Sequence, residues 1–215
     1  MIKWSSFFVH KGGWGGVVGF FLMVCGFGYG MVSCDGSGTT PKPKGYYRID
    51  LPEIHYTGFS LDELPYSFNV SRLVRVELPP SDTSGNWINL AYPALNAKIY
   101  CSFHQMGPAD LPVLEKECRE LVSRNARHAD AITEQAFENQ DLQVYGMLFK
   151  IDGETASPVQ FLLTDSTTRF FRGALYYECK PNVDSLAPVT SYLNEHVMEL
   201  IHTFRWKHTP KHLHR

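Results

Sequence analysis

A cysteine that follows a small residue and an uncharged run is the first place in this 215-residue chain where residue type and spacing call for chemistry. Met31-Val32-Ser33-Cys34 closes the run Val17 to Val32 and resembles a lipobox, with Met31 where Leu is usual. There the Cys34 thiol takes a thioether-linked diacylglycerol, the chain is cut before Cys34, and the freed amine can be acylated. Two or three acyl chains anchor firmly where a single one would be marginal. The second place is the loop Asp165-Ser166-Thr167-Thr168-Arg169, with Arg172 just beyond. An acid and a hydroxyl beside two arginines can bind an anion, begin a nucleophilic site or meet a partner. The competing account is a hairpin turn whose Asp and Ser bond their own backbone. No histidine is near in sequence, so a hydrolase would need folding to bring His104 or His128 to Asp165 or Ser166. Phe170, Phe171, Tyr176 and Tyr177 interleave aromatics with arginine, a composition enriched at protein interfaces. Half of them must face the core if the segment is a strand. Partner contact through Asp165, Arg169 and Arg172 is therefore expected ahead of catalysis.

The other reactive side chains form no catalytic or metal-binding pattern. There is no HExxH and no GxSxG elbow. His196 and His202 are six apart, about 240° around a helix, and do not face one ligand. His208, His212 and His214 could hold a metal, but a solvated tail is preferred. No catalytic residue, metal or cofactor is expected. Cys25 leaves with the signal, so Cys101, Cys118 and Cys179 remain, an odd number that permits one internal bridge at most. Buried free thiols are preferred to a Cys101–Cys179 or Cys101–Cys118 disulfide.

These residues need elements to hold them. Residues 1–33 read as an export signal: Lys3 and Lys11 make a positive start, and the uncharged run of about 16 residues, four of them glycine, is short for a permanent span. The lipidated Cys34 and a tether occupy 34–45; Asp35 to Lys44 has no apolar residue and reaches about 30 Å when extended. A globular domain fills 46–207, and 208–215 is a polar tail. In the domain, Val74 to Leu78, Trp87 to Ala91 and Ala97 to Phe103 alternate as strands. The period then changes, and Leu111, Leu114, Cys118, Leu121, Val122 and Ala129 predict an amphipathic helix with Asp110 as cap. Three strands follow: Val144 to Ile151, closed by an Asp152-Gly153 turn, Val159 to Thr164, and Arg169 to Cys179. Short connections make them antiparallel. Gly173 suggests a bulge or a close approach. A last helix runs from about Leu186 to Trp206, with Val189, Leu193, Val197, Leu200, Ile201 and Phe204 as its buried stripe, and Asn182 to Ser185 as its capping segment. The fold class is α+β, one domain with a mostly antiparallel sheet flanked by helices.

Charge narrows the partners. Removing Lys3 and Lys11 from 20 basic residues against 22 acidic ones leaves the mature part near −4. A protein whose main business is nucleic acid needs clustered Lys and Arg, so the charge argues against that role and no nucleic-acid partner is expected.

Several longer segments together resemble one family: TPKPKGYYRIDLP (Thr40 to Pro52), YPALNAKIYCSF (Tyr92 to Phe103), HADAI (His128 to Ile132), ASPVQFLLTDSTTRFFRGALYYECKPNVDSLAPV (Ala156 to Val189) and TFRWK (Thr203 to Lys207). On these the chain resembles the GldD gliding-motility lipoproteins of Bacteroidota from Thr40 to Lys207. The family pattern near Arg172 is closer to HFLRGALYF, so Arg169, Phe171 and Tyr177 are departures. The resemblance implies support of gliding motility and the linked type IX secretion machinery, by assembling or stabilising other envelope lipoproteins. It implies no activity and no cofactor. Lipidation maps to Cys34, and the expected place is the cell envelope, on the outer membrane facing the periplasm, with the inner membrane as alternative. The order of elements is also similar to the Mog1/PsbP-like fold. Asp165-Ser166-Thr167 and Asp184-Ser185-Leu186 resemble the O-glycosylation sequon of this bacterial group, making Ser166 and Ser185 candidate modification sites. Two other classes stay open: a periplasmic hydrolase and a small-ligand carrier, the latter needing an apolar pocket lined by the aromatic strands.

Overall fold

The computed structural model describes residues 51–79, 87–107, 109–178 and 183–207, without the side chains of 183–185. The signal segment, Cys34, the tether, Cys179, the Ser185 side chain and the histidine tail lie outside the described residues.

In chain order the elements are β1 (Tyr56–Phe59), β2 (Tyr66–Ser71), β3 (Arg75–Glu77), β4 (Trp87–Tyr92), a 3-10 turn at Pro93–Leu95, β5 (Ala97–Gln105), α1 (Leu111–Asn125), β6 (His128–Asn139), β7 (Val144–Glu154), β8 (Val159–Thr164), β9 (Arg169–Tyr177), α2 (Val183–Thr203) and β10 (Arg205–Trp206). Seven strands make one sheet in the order β3-β4-β5-β9-β8-β7-β6, and β1-β2-β10 make a second. Every pairing is antiparallel. The fold is α+β.

Successive strand residues point to opposite faces, and the large sheet buries both. On one face Ile99, Phe103, Leu148, Phe161, Leu163, Phe171 and Leu175 meet the α2 stripe and the β2 residues Tyr66 and Phe68. On the other, Phe149, Ile151, Leu162 and Phe170 meet Cys118 and Val122 of α1. The central strand β8 is buried at all six positions, as a strand covered on both sides must be. Burying a side chain of this size contributes roughly 1.5–3 kcal/mol. The α2 stripe is as its spacing predicts: Val189, Leu193, Val197, Leu200, Ile201 and Phe204 are all buried.

Several local expectations are corrected. The first helix ends at Asn125, and Ala129 lies on β6. Asp110 does not cap it; its backbone is helical, and its Oδ2 accepts from Gly107 N across 2.8 Å. Asp152-Gly153 is no hairpin turn, because β7 runs on to Glu154. Gly153 sits instead beside an irregularity between Ala129 and Ala131, at φ +99, where an added Cβ would lie 2.7 Å from Asp130 N. The last helix stops at Thr203, and Arg205–Trp206 pairs with β2. Cys101 and Cys118 are buried free thiols on opposite faces, so no bridge joins them. Gly173 is a close approach: the β5–β9 register passes it without a break, and a Cβ there would collide with the Phe161 ring.

Candidate functional site at the Asp165 turn

The β8–β9 connection is built around one carboxylate. Asp165 Oδ1 accepts from the N–H groups of Thr167, Thr168 and Arg169 at 3.0, 2.8 and 2.8 Å. Its Oδ2 accepts from Thr168 Oγ1 at 3.0 Å and Arg169 Nε at 2.7 Å. Thr164 Oγ1 donates to Arg169 O and accepts from Ser166 N, both at 2.9 Å. Ser166 takes the left-handed backbone, φ 64, at the tip. Burial alone would push the Asp165 carboxyl up. The Arg169 guanidinium and the N–H groups of Thr168, Arg169 and Thr167 overcome that and hold it well below the usual carboxylate range.

Arg169 then reaches the far end of the chain. Its Nη1 donates to Lys207 O at 3.2 Å, and its guanidinium stacks 5.0 Å from the Trp206 ring centre. Lys207 N donates to Pro65 O at 2.8 Å, and its Nζ donates to Leu61 O at 2.6 Å. Trp206 Nε1 donates to Gln143 O at 3.1 Å. The segment Thr203 to Lys207 is thus a clasp that ties the end of α2 to β2, to the loop before it and to the Asp165 turn.

The three residues expected to share a contact surface do not share one. The Asp165 side chain is only 4% exposed, its oxygens committed to the turn. Arg169 lies on its face of the sheet. Arg172, three residues on, points to the α1 face, where its charge opposes protonation of His104 and favours ionisation of the Cys118 thiol. Burial, the larger cause in both, lowers His104 and raises Cys118. Phe170 and Phe171 are buried in the two separate cores, and what the turn offers solvent is Ser166, Thr167 and Thr168.

The geometry a hydrolase would require is not assembled. His104 pairs with Phe170 in the β5–β9 register and so points to the face opposite Asp165 and Arg169. His128 pairs with Glu154, at the end of the β6–β7 ribbon remote from Thr164, which pairs with Tyr145. Among the described residues no group of three His, Cys, Asp or Glu is placed to hold a metal. A groove of about 270 Å³ runs between α2, at Leu186, Thr190 and Asn194, and the β7–β8 end at Ile151 and Val159. Tyr177 is its one aromatic residue, so it is not the aromatic-strand pocket that a carrier would need.

The residue that spacing did not single out is His196. It is 3% exposed, with its ring centre 5.7, 5.4 and 4.5 Å from those of Tyr56, Tyr92 and Tyr192. Nδ1 lies 3.2 Å from the Tyr92 hydroxyl, and Nε2 has no hydrogen-bond partner among the described residues. Burial lowers its pKa to about 4. Its three tyrosines come from separate elements, and no local pattern announces the cluster.

Residues 36–206 match the family described as gliding motility lipoprotein GldD. No curated protein matches the chain significantly. Among solved structures, the solution structure of cyanobacterial PsbP (CyanoP) from Synechocystis sp. PCC 6803 is similar at 10% identity with a TM-score of 0.43, over 74% of this chain and 97% of that one.

Proposed function

The chain belongs to the gliding motility lipoprotein GldD family, and from that premise we propose a lipid-tethered envelope protein that supports gliding by contact with other proteins. The family ties it to gliding motility and to an envelope lipoprotein. The finer reading is that it assembles or stabilises other envelope lipoproteins of the gliding and type IX secretion machinery, from the outer membrane facing the periplasm. The observation that carries this is the extent of the match. It begins two residues after Cys34 and ends at Trp206, taking in the tether and the clasp that closes the fold. A tether of this length confines the domain near the membrane and raises its effective concentration toward a membrane-bound partner, so modest surfaces suffice.

A partner that meets the Asp165 turn meets Ser166 to Thr168, because Asp165 and Arg169 are spent inside the fold. Arg172 would belong to a different contact on the α1 face. Ser166, exposed at the tip, suits O-glycosylation; Ser185 is the second candidate. Cross-linking in intact cells, followed by purification of the lipidated protein, tests the contact role. Recovery of other gliding or secretion lipoproteins supports it. Reproducible recovery of a bound sugar or peptide fragment without protein partners overturns it. Membrane fractionation of the same cells separates outer from inner membrane.

A further inference from the structure

The seven-stranded sheet ends on a strand that has little business being bare. β6 spans twelve residues, nearly all exposed, including Ile132 at 45%. It pairs with β7 alone, so alternate backbone N–H and C=O groups on its outer side meet no strand among the described residues. From Ala131 to Asn139 the register with β7 is unbroken. Proteins blunt such edges with Pro, charged side chains (Lys above all), bulges or short strands, and the charges β6 carries are the acids Asp130, Glu134 and Glu138. HADAITEQAFEN holds no Pro, Lys, Arg or Gly, and its one irregularity lies at the Ala129 end. At the opposite edge, β3 has three residues.

The two faces of β6 differ. Glu134 pairs with Phe149 and bridges to Arg119 of α1 at 2.8 Å, which sets Ile132, Glu134, Ala136 and Glu138 on the α1 face. Phe137 meets His202 of α2, so Thr133, Gln135 and Phe137 line the uncharged face. Arg119 offsets Glu134, while Glu138 bonds the neutral Gln140 amide at 2.7 Å and keeps its charge. Beside it a groove of about 390 Å³ is lined by Glu115, Arg119, Ala136 and Glu138, two acids against one base.

The geometry points to β6 as a docking edge for an extended segment of a partner protein that carries Lys or Arg at alternate positions on the α1 side and small or apolar residues on the other. Main-chain bonds would supply affinity, and the acidic row would supply register and choice of partner. A second copy of this chain fits worse. A two-fold axis through a continuous antiparallel sheet keeps the faces aligned, so Glu134 and Glu138 would oppose the same acids of the other copy, a destabilising arrangement. This surface stands apart from the motility reading, and either can fail alone.

Two synthetic peptides test it on the purified exported chain: Lys-Val-Lys-Thr-Lys-Val-Lys-Thr and the same sequence with Glu for Lys. Amide exchange should slow about tenfold or more along Ala131 to Asn139 with the Lys peptide only. Glu138→Lys should weaken that protection about two- to fivefold, the worth of one cross-strand charge pair. Gln135→Pro and Ala136→Pro point their missing N–H to opposite sides. One of the two should abolish binding with an unchanged unfolding midpoint, which separates edge pairing from loss of fold. Equal protection by both peptides, or by neither, overturns the proposal. So does a chain that sediments as a dimer with β6 already protected, which would assign the edge to a second copy.

Discussion

Arg169 Nε donates to Asp165 Oδ2 across 2.7 Å, and the same guanidinium donates to Lys207 O at 3.2 Å, so one side chain joins the β8–β9 turn to the end of the described chain. A pair that looked free to bind a partner is holding the fold instead.

Asp165→Ala should therefore destabilise the domain by about 3 kcal/mol, because five donors, one of them the Arg169 guanidinium, lose their acceptor. Denaturant midpoints measure it. The pH sign follows from a carboxyl held below its usual range: the unfolded chain takes a proton near pH 4 while the folded one does not. The contribution is full above about pH 4 and is lost as pH falls further, so Asp165→Asn should flatten the acid limb of the stability curve.

His196 acts at milder pH. Its folded pKa is about 4, below the ordinary value near 6.5. Between those values the unfolded chain binds the proton and the folded one does not. Stability should be full above about pH 6.5 and fall by up to about 3 kcal/mol on the way to pH 4. His196→Gln should remove most of that slope, as followed by thermal unfolding across pH 4–7.

Gly173 faces the Phe161 ring with no room for a methyl group. Gly173→Ala should cost about 1–3 kcal/mol through overpacking. Phe161→Leu in the same chain should recover part of the loss, and a double-mutant cycle reads the coupling.

Ser166 takes a left-handed backbone that glycine adopts freely. Ser166→Gly should raise stability by up to about 1 kcal/mol. Where the mature protein carries sugar on this hydroxyl, the same variant loses one glycan in intact mass, while the fold is retained.

What the sequence disclosed follows from where apolar residues fall. The α2 stripe and strands β7, β8 and β9 were legible because they bury side chains on a regular period. β6 was not, since an edge strand held by backbone bonds needs no apolar alternation, and Ala129 fell into step with the helix before it. Tyr66, Phe68 and Val70 do alternate on β2, a signal present but unassigned. Trp206 was joined to the last helix because Phe204 fits the buried stripe, although the chain turns there to pair with β2. At the Asp165 turn the acid, hydroxyls and arginines stand out in the sequence, but the groups they bond do not. Which face Arg172 takes depends on the β5–β9 register, and the Lys207 carbonyl is 38 residues from Arg169.

The central claim, that the domain acts by contact while held on a membrane through Cys34, meets its most direct test in gliding cells. The chain would be exported behind a non-lipoprotein signal with Cys34→Ala, at matched abundance, and colony spreading and secretion would be measured. The account predicts that the soluble, folded domain fails to restore either. Restoration equal to that of the lipidated protein would contradict it.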